Sequence, residues 1–231
     1  MGQPGRGKPL GTDRRLTHKY SRVVPSKPSV YDNVYRGEPA WEIGHPQPVI
    51  VELADRGLLT GDLIDVGCGT GEHTILAAEC GASALGIDLS PLAIELATEK
   101  ARTRNSSARF LVADALDLKA LNQVFDVVID SGLFHVFTSD AQRQRYTSNL
   151  AEVVRLDGKV FVTCICEHQG GDWGPHRVTE QEFRDAFRDE WVIEDLRCCV
   201  REIRRPEVQT WAADAWFATV RHVRESSAFS D

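Results

Sequence analysis

From Leu63 onward, short apolar runs alternate with amphipathic segments, which leaves few folds open to the chain. Five runs read as strands that are separated by helices or loops: LIDV, ALGID, ARFLVAD, FDVVID and GKVFVTCIC. Strands joined by helices imply right-handed crossovers, so they should lie parallel in one doubly wound sheet. Two further runs, WVIEDLRCCVREI and AWFATVRHV, follow one another and predict an antiparallel strand at one edge. We therefore expect an α/β fold with a doubly wound, mostly parallel seven-stranded sheet.

Capping residues mark the starts of three predicted helices. These starts are Ser90 before Pro91, Ser139 with Gln142, and Thr179 with Glu182. Leu92 and Leu96, with the alanines between them, predict the apolar face of the helix that follows Ser90.

The segment before Tyr31 differs from the rest of the chain in charge. It contains seven Lys and Arg residues against Asp13 alone, so the net charge of −7 divides into +6 there and −13 beyond it. Its Gly, Pro and Ser content offers little to bury, and we expect a disordered basic tail over 1–29, with a weak anionic-surface tether as the alternative. The acidic remainder, 30–231, should form one domain and disfavours a nucleic-acid partner.

Several classes of protein are disfavoured by composition. No apolar run approaches the roughly 18 to 20 residues of a membrane span, and the N-terminus has no apolar signal segment. The six cysteines form no C-x-x-C pair, so we expect reduced thiols and no metal site. We expect a cytoplasmic protein, a monomer or weak dimer, that acts on a small molecule.

The stretch DVGCGTG, Asp65–Gly71, joins the first strand to its helix, where open parallel sheets bind their ligands. Gly67, Gly69 and Gly71 let the backbone turn sharply and approach a ligand closely. A dinucleotide-binding loop would read G-x-G-x-x-G, with pyrophosphate at the helix N-terminus. Here the spacing is G-x-G-x-G, and Glu72 places a negative charge at that N-terminus. The loop therefore favours a ligand without phosphates over the dinucleotide of a dehydrogenase, the rival enzyme.

Acidic residues end the next two strands. Asp88 lies 17 residues after Gly71, where a carboxylate can accept hydrogen bonds from ribose hydroxyls. Asp114 ends the third strand, where it can meet the exocyclic amine of a base. A single aspartate at a strand end is often a turn former or a helix cap. Three strand ends together indicate a nucleoside ligand.

The motifs DVGCGTG, GIDLSP, VADALDL and FDVVIDSGLFH resemble those of class I S-adenosylmethionine-dependent methyltransferases in order and spacing. The resemblance runs from about Asp62 to Cys166 and implies a Rossmann-like fold with S-adenosylmethionine as cofactor. The LDGK turn from Leu156 departs from the family's proline-and-double-glycine turn. The implied cofactor-binding residues are Asp65, Gly67, Cys68, Gly69 and Gly71 for the methionine moiety, Asp88 with Leu89 for the ribose, Asp114 and Ala115 for the adenine, and Asp130 and Trp41.

Two further segments, YDNVYRGEPAWEIGHPQP and GPHRVTEQEF, resemble the thiopurine methyltransferase-like subgroup. This subgroup includes halide and thiol methyltransferases and mycobacterial heterocyclic toxin (benzoquinone) methyltransferases. Its members methylate small molecules, and their N-terminal segment folds over the cofactor. The resemblance implies an N-terminal lid over 31–48, with Trp41 at the cofactor and with Tyr31 and Tyr35 at the substrate. Tyr31 stands where the motif often has tryptophan.

The residues after the fourth strand suggest the chemistry. Leu133, Phe134 and Phe137 favour a flat hydrophobic substrate over a naked halide. His135 is a candidate general base and substrate contact because it titrates near neutrality, although a structural role is equally open. Asp130 is a second catalytic candidate that could orient the substrate or a water. An acidic hydroxyl on a heterocycle would need no base.

The absence of an asparagine-proline-proline-aromatic motif from the sequence favours O- or S-methylation over methylation of an amino group. The sequence thus predicts a methyltransferase for a hydroxyl or thiol of a small, mostly apolar heterocyclic or aromatic molecule. Two alternatives stay open: a halide or thiol methyltransferase, and a regulatory protein that binds S-adenosylmethionine without catalysis.

Overall fold

A computed structural model describes residues 30–223 except 38, 172, 206 and 207, so the predicted tail over 1–29 lies outside the described residues. The strands of the described part are β1 (Asp62–Val66), β2 (Ser83–Asp88), β3 (Arg109–Val112), β4 (Phe125–Ser131), β5 (Val154–Ile165), β6 (Trp191–Arg205) and β7 (Val208–His222). Its α-helices are α1 (Val30–Tyr35), α2 (Pro48–Asp55), α3 (Glu72–Glu79), α4 (Pro91–Thr103), α5 (Asp140–Val153) and α6 (Glu180–Ala186). Short 3-10 turns lie at Leu118–Leu121 and Phe134–Val136. None of these helices combines the length and the apolar character that crossing a membrane requires.

The strands form one sheet in the order β3-β2-β1-β4-β5-β7-β6. The first five strands of this order are parallel, whereas β7 pairs antiparallel with both β5 and β6. The predicted doubly wound sheet with an antiparallel edge is therefore confirmed. The chain order reverses between β1 and β4, which makes their carboxyl ends the switch point where such sheets bind ligands.

Side-chain alternation in the central strand divides the core into two layers. Leu63 points to the layer that contains apolar residues of α2 and α3. Ile64 and Val66 point to the opposite layer, which contains apolar residues of α5 and α6. Because both faces of the central strands are covered, these strands are apolar on both sides, as parallel strands usually are.

The β6–β7 hairpin is longer than the sequence pattern predicts, because β7 begins at Val208 and not at Ala215. The last pairing of β7 with β5 joins Ala215 to Ile165, and the hairpin then continues past the sheet with Arg201 opposite Ala213. Alanines and polar residues in the first part of β7 weaken the strand pattern, so the sequence does not predict a strand there. Pairing with β6 stabilises the extended conformation despite this low strand propensity. This extension forms a wall above the carboxyl edge of the sheet.

The start of α4 is confirmed, since the Ser90 side chain accepts a hydrogen bond from the Ala93 N–H and Pro91 is the first helical residue. Both predicted capping boxes are also present. The predicted apolar face of α4 is correct at Ala93, which is buried, and wrong at Leu96, which is 41 % exposed. Its buried residues are Ala93, Ile94, Ala97 and Ala101. Small side chains allow the helix to pack closely on the sheet.

Gly86 of β2 should be intolerant of a side chain. A Cβ atom there would lie 2.7 Å from both the Phe110 ring and the Thr74 hydroxyl. Such overpacking costs about 1 to 3 kcal/mol, so Gly86→Ala should lower the free energy of unfolding by that amount in urea titrations. Gly170→Ala is the matched control, because a Cβ atom at Gly170 meets nothing within 4 Å. Equal stability of the two variants would contradict the packing.

Candidate active site

A cavity of about 550 Å³ lies at the carboxyl ends of the parallel strands, between the N-terminal segment and the β6–β7 hairpin. Its position is the one at which open α/β sheets bind ligands. Most of the cofactor- and substrate-binding residues that the sequence predicts line this cavity. They are Tyr31, Tyr35, Trp41, Gly67, Asp88, Leu89, Asp114, Ala115, Leu133, His135 and Phe137.

The glycine loop forms the floor between β1 and α3. Gly69 has φ +54°, and a Cβ atom there would lie 2.9 Å from the Glu42 carboxylate. Gly71 has φ +86°, and its Cβ atom would lie 2.6 Å from the Phe110 ring. Both positions therefore require glycine for backbone conformation and for space. Cys68, Gly69 and Gly71 line a smaller pocket, which shares with the cavity the residues Trp41, Gly67, Ser131 and Arg201.

Asp65 is buried beneath the loop and does not line the cavity. One carboxylate oxygen accepts a hydrogen bond from the Thr74 hydroxyl at 2.7 Å. The other, Oδ1, is buried without a hydrogen-bond partner. Burial raises the pKa of Asp65 to about 7, and the charges of Asp130 and Asp88 add to the rise. A cation above the loop would therefore be stabilised by this carboxylate.

Asp88 links the glycine loop to α4. Its Oδ2 accepts a hydrogen bond from the Gly69 N–H at 3.1 Å, and its Oδ1 accepts one from the Ser90 N–H at 2.8 Å. Burial raises the pKa of this carboxyl, although both hydrogen bonds oppose the rise. Asp114, one strand further along, accepts a hydrogen bond from the Leu116 N–H at 2.8 Å. Both carboxylates line the cavity and keep acceptor capacity for a ligand.

Asp130 does not reach the cavity, contrary to the prediction that it contacts the cofactor or substrate. Its side chain is fully buried, and Oδ1 accepts hydrogen bonds from the N–H groups of Leu133 at 2.8 Å and Phe134 at 3.1 Å. Its Oδ2 accepts one from the Tyr146 hydroxyl at 2.8 Å. Burial raises its pKa to about 6. The carboxylate fixes the turn that carries His135.

His135 lines the cavity, but its geometry contradicts the predicted role of general base. Its Nδ1 accepts a hydrogen bond from the Ile165 N–H at 3.0 Å. Because a backbone N–H can only donate, Nδ1 is unprotonated and the neutral ring carries its proton on Nε2. Burial and the charges of Arg201 and His176 lower the pKa of His135 to about 3. The ring therefore offers a hydrogen-bond donor and has no free basic nitrogen.

Phe134 also departs from its predicted role as a substrate contact. Its side chain is fully buried and packs against Tyr146, Phe183 and Phe187. The aromatic cluster draws it into the core on the side of α5 and α6, while its neighbour Leu133 remains at the cavity.

The sequence analysis did not predict one further group of residues that line the cavity, called here the wall. Its members are Val136, Ile165, Trp173, Pro175, Arg201 and Ile203. One signal was available, because Cys199, Arg201 and Ile203 alternate along one strand and therefore share a face. An arginine between two apolar residues on one face of a strand indicates a cation placed toward the interior.

The N-terminal segment is docked on the glycine loop and α4. Asp32 of α1 accepts a hydrogen bond from the Ser90 hydroxyl. Glu42 accepts one from the Thr70 N–H at 3.3 Å and another from the Thr70 hydroxyl. Trp41, between these two contacts, lines the cavity. The segment therefore covers the place that the cofactor is expected to occupy.

The chemistry of this half of the site fits S-adenosylmethionine. Asp65 and Asp88 have carboxyl groups whose pKa values burial raises, so the protein alone does not compensate their negative charge. A ligand with a sulfonium and an ammonium group would compensate it. Asp88 and Asp114 can meet the ribose and the adenine, and the loop presents no basic side chain for a pyrophosphate.

Comparison with known proteins agrees with this geometry. The sequence pattern of a family described as "Methyltransferase domain" matches residues 63–158. A 2-heptyl-1-hydroxyquinolin-4(1H)-one methyltransferase of Mycobacteroides abscessus is 31 % identical over 179 residues, which covers 72 % of this chain and 78 % of that protein. A probable thiol methyltransferase 2 of Arabidopsis thaliana is 28 % identical over 156 residues, covering 65 % and 67 %.

A solved structure is also similar, from a study of the conversion of a disulfide bond into a thioacetal group during echinomycin biosynthesis. It is 33 % identical and superimposes with a TM-score of 0.78 over 86 % of this chain and 93 % of that chain. Sequence and fold therefore relate the chain to the same family.

Asp88 should contribute directly to cofactor affinity. Replacement by alanine removes a charged hydrogen-bond acceptor, a loss of about 1.5 to 3 kcal/mol. Calorimetry should therefore show S-adenosylmethionine binding to Asp88→Ala about 10- to 150-fold more weakly. Glu95→Ala removes an exposed carboxylate of α4 and should bind as the wild type does. Unchanged affinity in Asp88→Ala would exclude this carboxylate from the cofactor site.

The N-terminal segment should open and close over the cofactor. Hydrogen exchange reports local opening, so amides in 31–48 should exchange more slowly when S-adenosylhomocysteine is bound. Glu42→Ala removes the acceptor for Thr70, and it should speed exchange in this segment in the free protein. Identical exchange with and without ligand would show a static strap.

Proposed function

The chain belongs to the S-adenosylmethionine-dependent methyltransferases, and we propose that it methylates a hydroxyl or thiol of a small, largely apolar ring compound. The observation that carries the proposal is the set of apolar side chains in the wall of the cavity. Val136, Phe137, Ile165, Trp173 and Ile203 face the cavity there. Burial of a ring against these side chains stabilises the complex by about 25 cal/mol per Å² of apolar surface.

The lining of the cavity argues against the halide alternative. Its volume of about 550 Å³ includes the space of the cofactor, since Gly67, Asp88 and Asp114 line it, but the remaining lining is largely apolar. A halide ion would contact few of the wall residues at once. A ring compound held between Trp173 and Phe137 excludes water from the reaction, which a methyltransferase requires.

Bound S-adenosylmethionine supplies an electrophilic methyl group on a sulfonium. Residues of the chain must then align the attacking oxygen or sulfur with the methyl group. The Nε2–H of His135 is one polar group at the cavity that can do this, since no described residue accepts a hydrogen bond from it. It can donate to a hydroxyl oxygen, a phenolate or a thiolate, but it cannot remove a proton.

The relatives support both kinds of acceptor atom. One is named for a hydroxyquinolinone and another for thiols, and the two are similar to this chain over comparable lengths. An oxygen or sulfur attached to a ring loses its proton more readily than an aliphatic alcohol does. Such an acceptor suits a site that has a hydrogen-bond donor in place of a base.

Features outside the site belong to the same proposal. The acidic chain after Tyr31, with its net charge of −13, favours free small molecules over nucleic acid as substrates. We further propose that the protein is a cytoplasmic monomer or weak dimer. Its basic tail over 1–29 is dispensable for catalysis, and 31–48 forms a lid.

The test is a panel of methyl acceptors with methyl-labelled S-adenosylmethionine. The panel contains one ring scaffold that carries a hydroxyl, a thiol or an amine, and it includes iodide as the halide. Label should enter the hydroxyl or thiol compounds. Transfer to the amine or to iodide alone would contradict the proposal.

His135 should act as a donor in this reaction. A hydrogen bond to a charged group contributes about 1.5 to 3 kcal/mol, so His135→Ala should lower kcat/KM by about 10- to 150-fold with acidic and weakly acidic acceptors alike. His135→Gln keeps an amide N–H and should retain more activity. Because its pKa is about 3, His135 stays neutral above that pH, and kcat/KM should show no histidine titration between about pH 5 and 9. A loss that disappears with ionised acceptors would restore the general-base role.

A further inference from the structure

We propose that Arg201 binds the methyl acceptor in its anionic form, so that the enzyme selects acceptors that reach the site already ionised. This inference rests on the proposed function, because it assigns the charge state of the hydroxyl or thiol compound. Arg201 lies in the extension of the β6–β7 hairpin and lines the same cavity as His135.

The guanidinium of Arg201 is buried without a counter-ion. The residue is 6 % exposed, and its partners are the Ser131 hydroxyl at 2.8 Å and the Ser131 carbonyl at 2.9 Å. Both partners are neutral, and among the described residues no carboxylate forms an ion pair with it. Two of its five N–H donors are thus used, and the others remain available. Burial of an uncompensated charge is costly, which is the arrangement expected where an anionic ligand supplies the missing charge.

No described group that surrounds Arg201 supplies that charge by direct contact. Asp130 of β4 influences it through space, but hydrogen bonds from Leu133, Phe134 and Tyr146 hold that carboxylate below the turn. Cys164 of β5 and Cys199 of β6 are thiols, and burial raises the pKa of both. The imidazoles of His73 and His135 are neutral, since burial and the Arg201 charge lower the pKa of each to about 3.

Both signs of charge border the cavity. The carboxylates Asp65, Asp88 and Glu42 lie around the glycine loop, on the side where a cationic cofactor fits. Arg201 lies between the cavity and the smaller pocket of the glycine loop, and with the Nε2–H of His135 it supplies positive potential to the cavity. These positive groups would stabilise the charge of an anionic acceptor that faces the cation of the cofactor.

This arrangement accounts for the proton without a base. The acceptor loses its proton to solvent before it enters, and Arg201 favours the ionised fraction. An oxygen or sulfur lone pair then forms the new bond to carbon, while the electrons of the broken S–CH3 bond return to the cofactor sulfur. The methylated product is neutral, so Arg201 no longer attracts it and its release is favoured.

The decisive measurement is the ionisation of a bound chromophore. 4-Nitrophenol and 4-nitrothiophenol absorb at longer wavelength as anions, so absorbance titration with the S-adenosylhomocysteine-bound protein gives the affinities of both forms. An opposite charge at contact distance should make the wild type prefer the anion about 10- to 1,000-fold. Arg201→Gln should lose at least about tenfold of this preference, and Arg201→Lys should keep part of it.

Two controls separate charge from structure. Arg197→Gln removes an arginine of the same strand that instead bonds Glu52 and stacks on Phe217, and it should keep the wild-type preference. Ser131→Ala removes the hydroxyl that orients the guanidinium, and it should lower the preference without removing the charge. S-adenosylhomocysteine affinity, measured by calorimetry in every variant, reports whether the fold and the cofactor half are intact.

Three results would overturn the inference. Weaker S-adenosylhomocysteine binding in Arg201→Gln with an unchanged anion preference would place Arg201 at the carboxylate of the cofactor. Equal weakening of the neutral and anionic nitrophenol would make its role packing. A wild type that methylates no hydroxyl or thiol compound would overturn the proposed function with it, whereas the first two results leave methylation of these acceptors in place.

Discussion

The buried carboxylate of Asp130 holds the turn after β4, and the shape of the site follows from that turn. A carboxylate removed from water is unfavourable unless hydrogen bonds replace its hydration, and three donors within the protein do so. Two are backbone N–H groups of the turn, so the chain cannot leave this conformation without exposing the carboxylate to an apolar interior. Leu133 and His135 are consequently presented to the cavity, while Phe134 is directed into the core.

The cavity gains its chemical character from how charge is arranged around that turn. Carboxylates lie around the glycine loop, the Nε2–H of His135 lies at the cavity, and Arg201 borders both the cavity and the pocket of the loop. For the anionic acceptor that we propose, its charge and that of the cofactor cancel during transfer, so the fixed charges of the protein act chiefly in binding and alignment.

Local patterns in the sequence were sufficient for the fold and for the position of the cavity. Strand ends, glycine spacing and capping residues are short-range signals, and they place Gly67, Asp88 and Asp114 correctly at the cavity. The acceptor half depends on contacts between distant segments. Arg201 reaches Ser131 across 70 positions of sequence, and the direction of Asp130 depends on Tyr146 of α5. No local propensity encodes such contacts, so residue type alone misassigned Asp130 and His135.

The β6–β7 hairpin extends beyond its last pairing with β5. Residues of this extension are therefore constrained differently from residues of the central strands. Strands that carry the glycine loop are fixed on both sides by neighbours, so a change there disturbs the sheet and the cofactor together. The extension around Ala213 pairs with no third strand, but its backbone is tied to the N-terminal segment: Gln47 bonds Glu202 in both directions, and the Arg204 N–H donates to the Ala40 carbonyl. Side chains of the extension can therefore change without disturbing the sheet as long as these backbone contacts remain, and this hairpin is where laboratory selection for a new acceptor should begin.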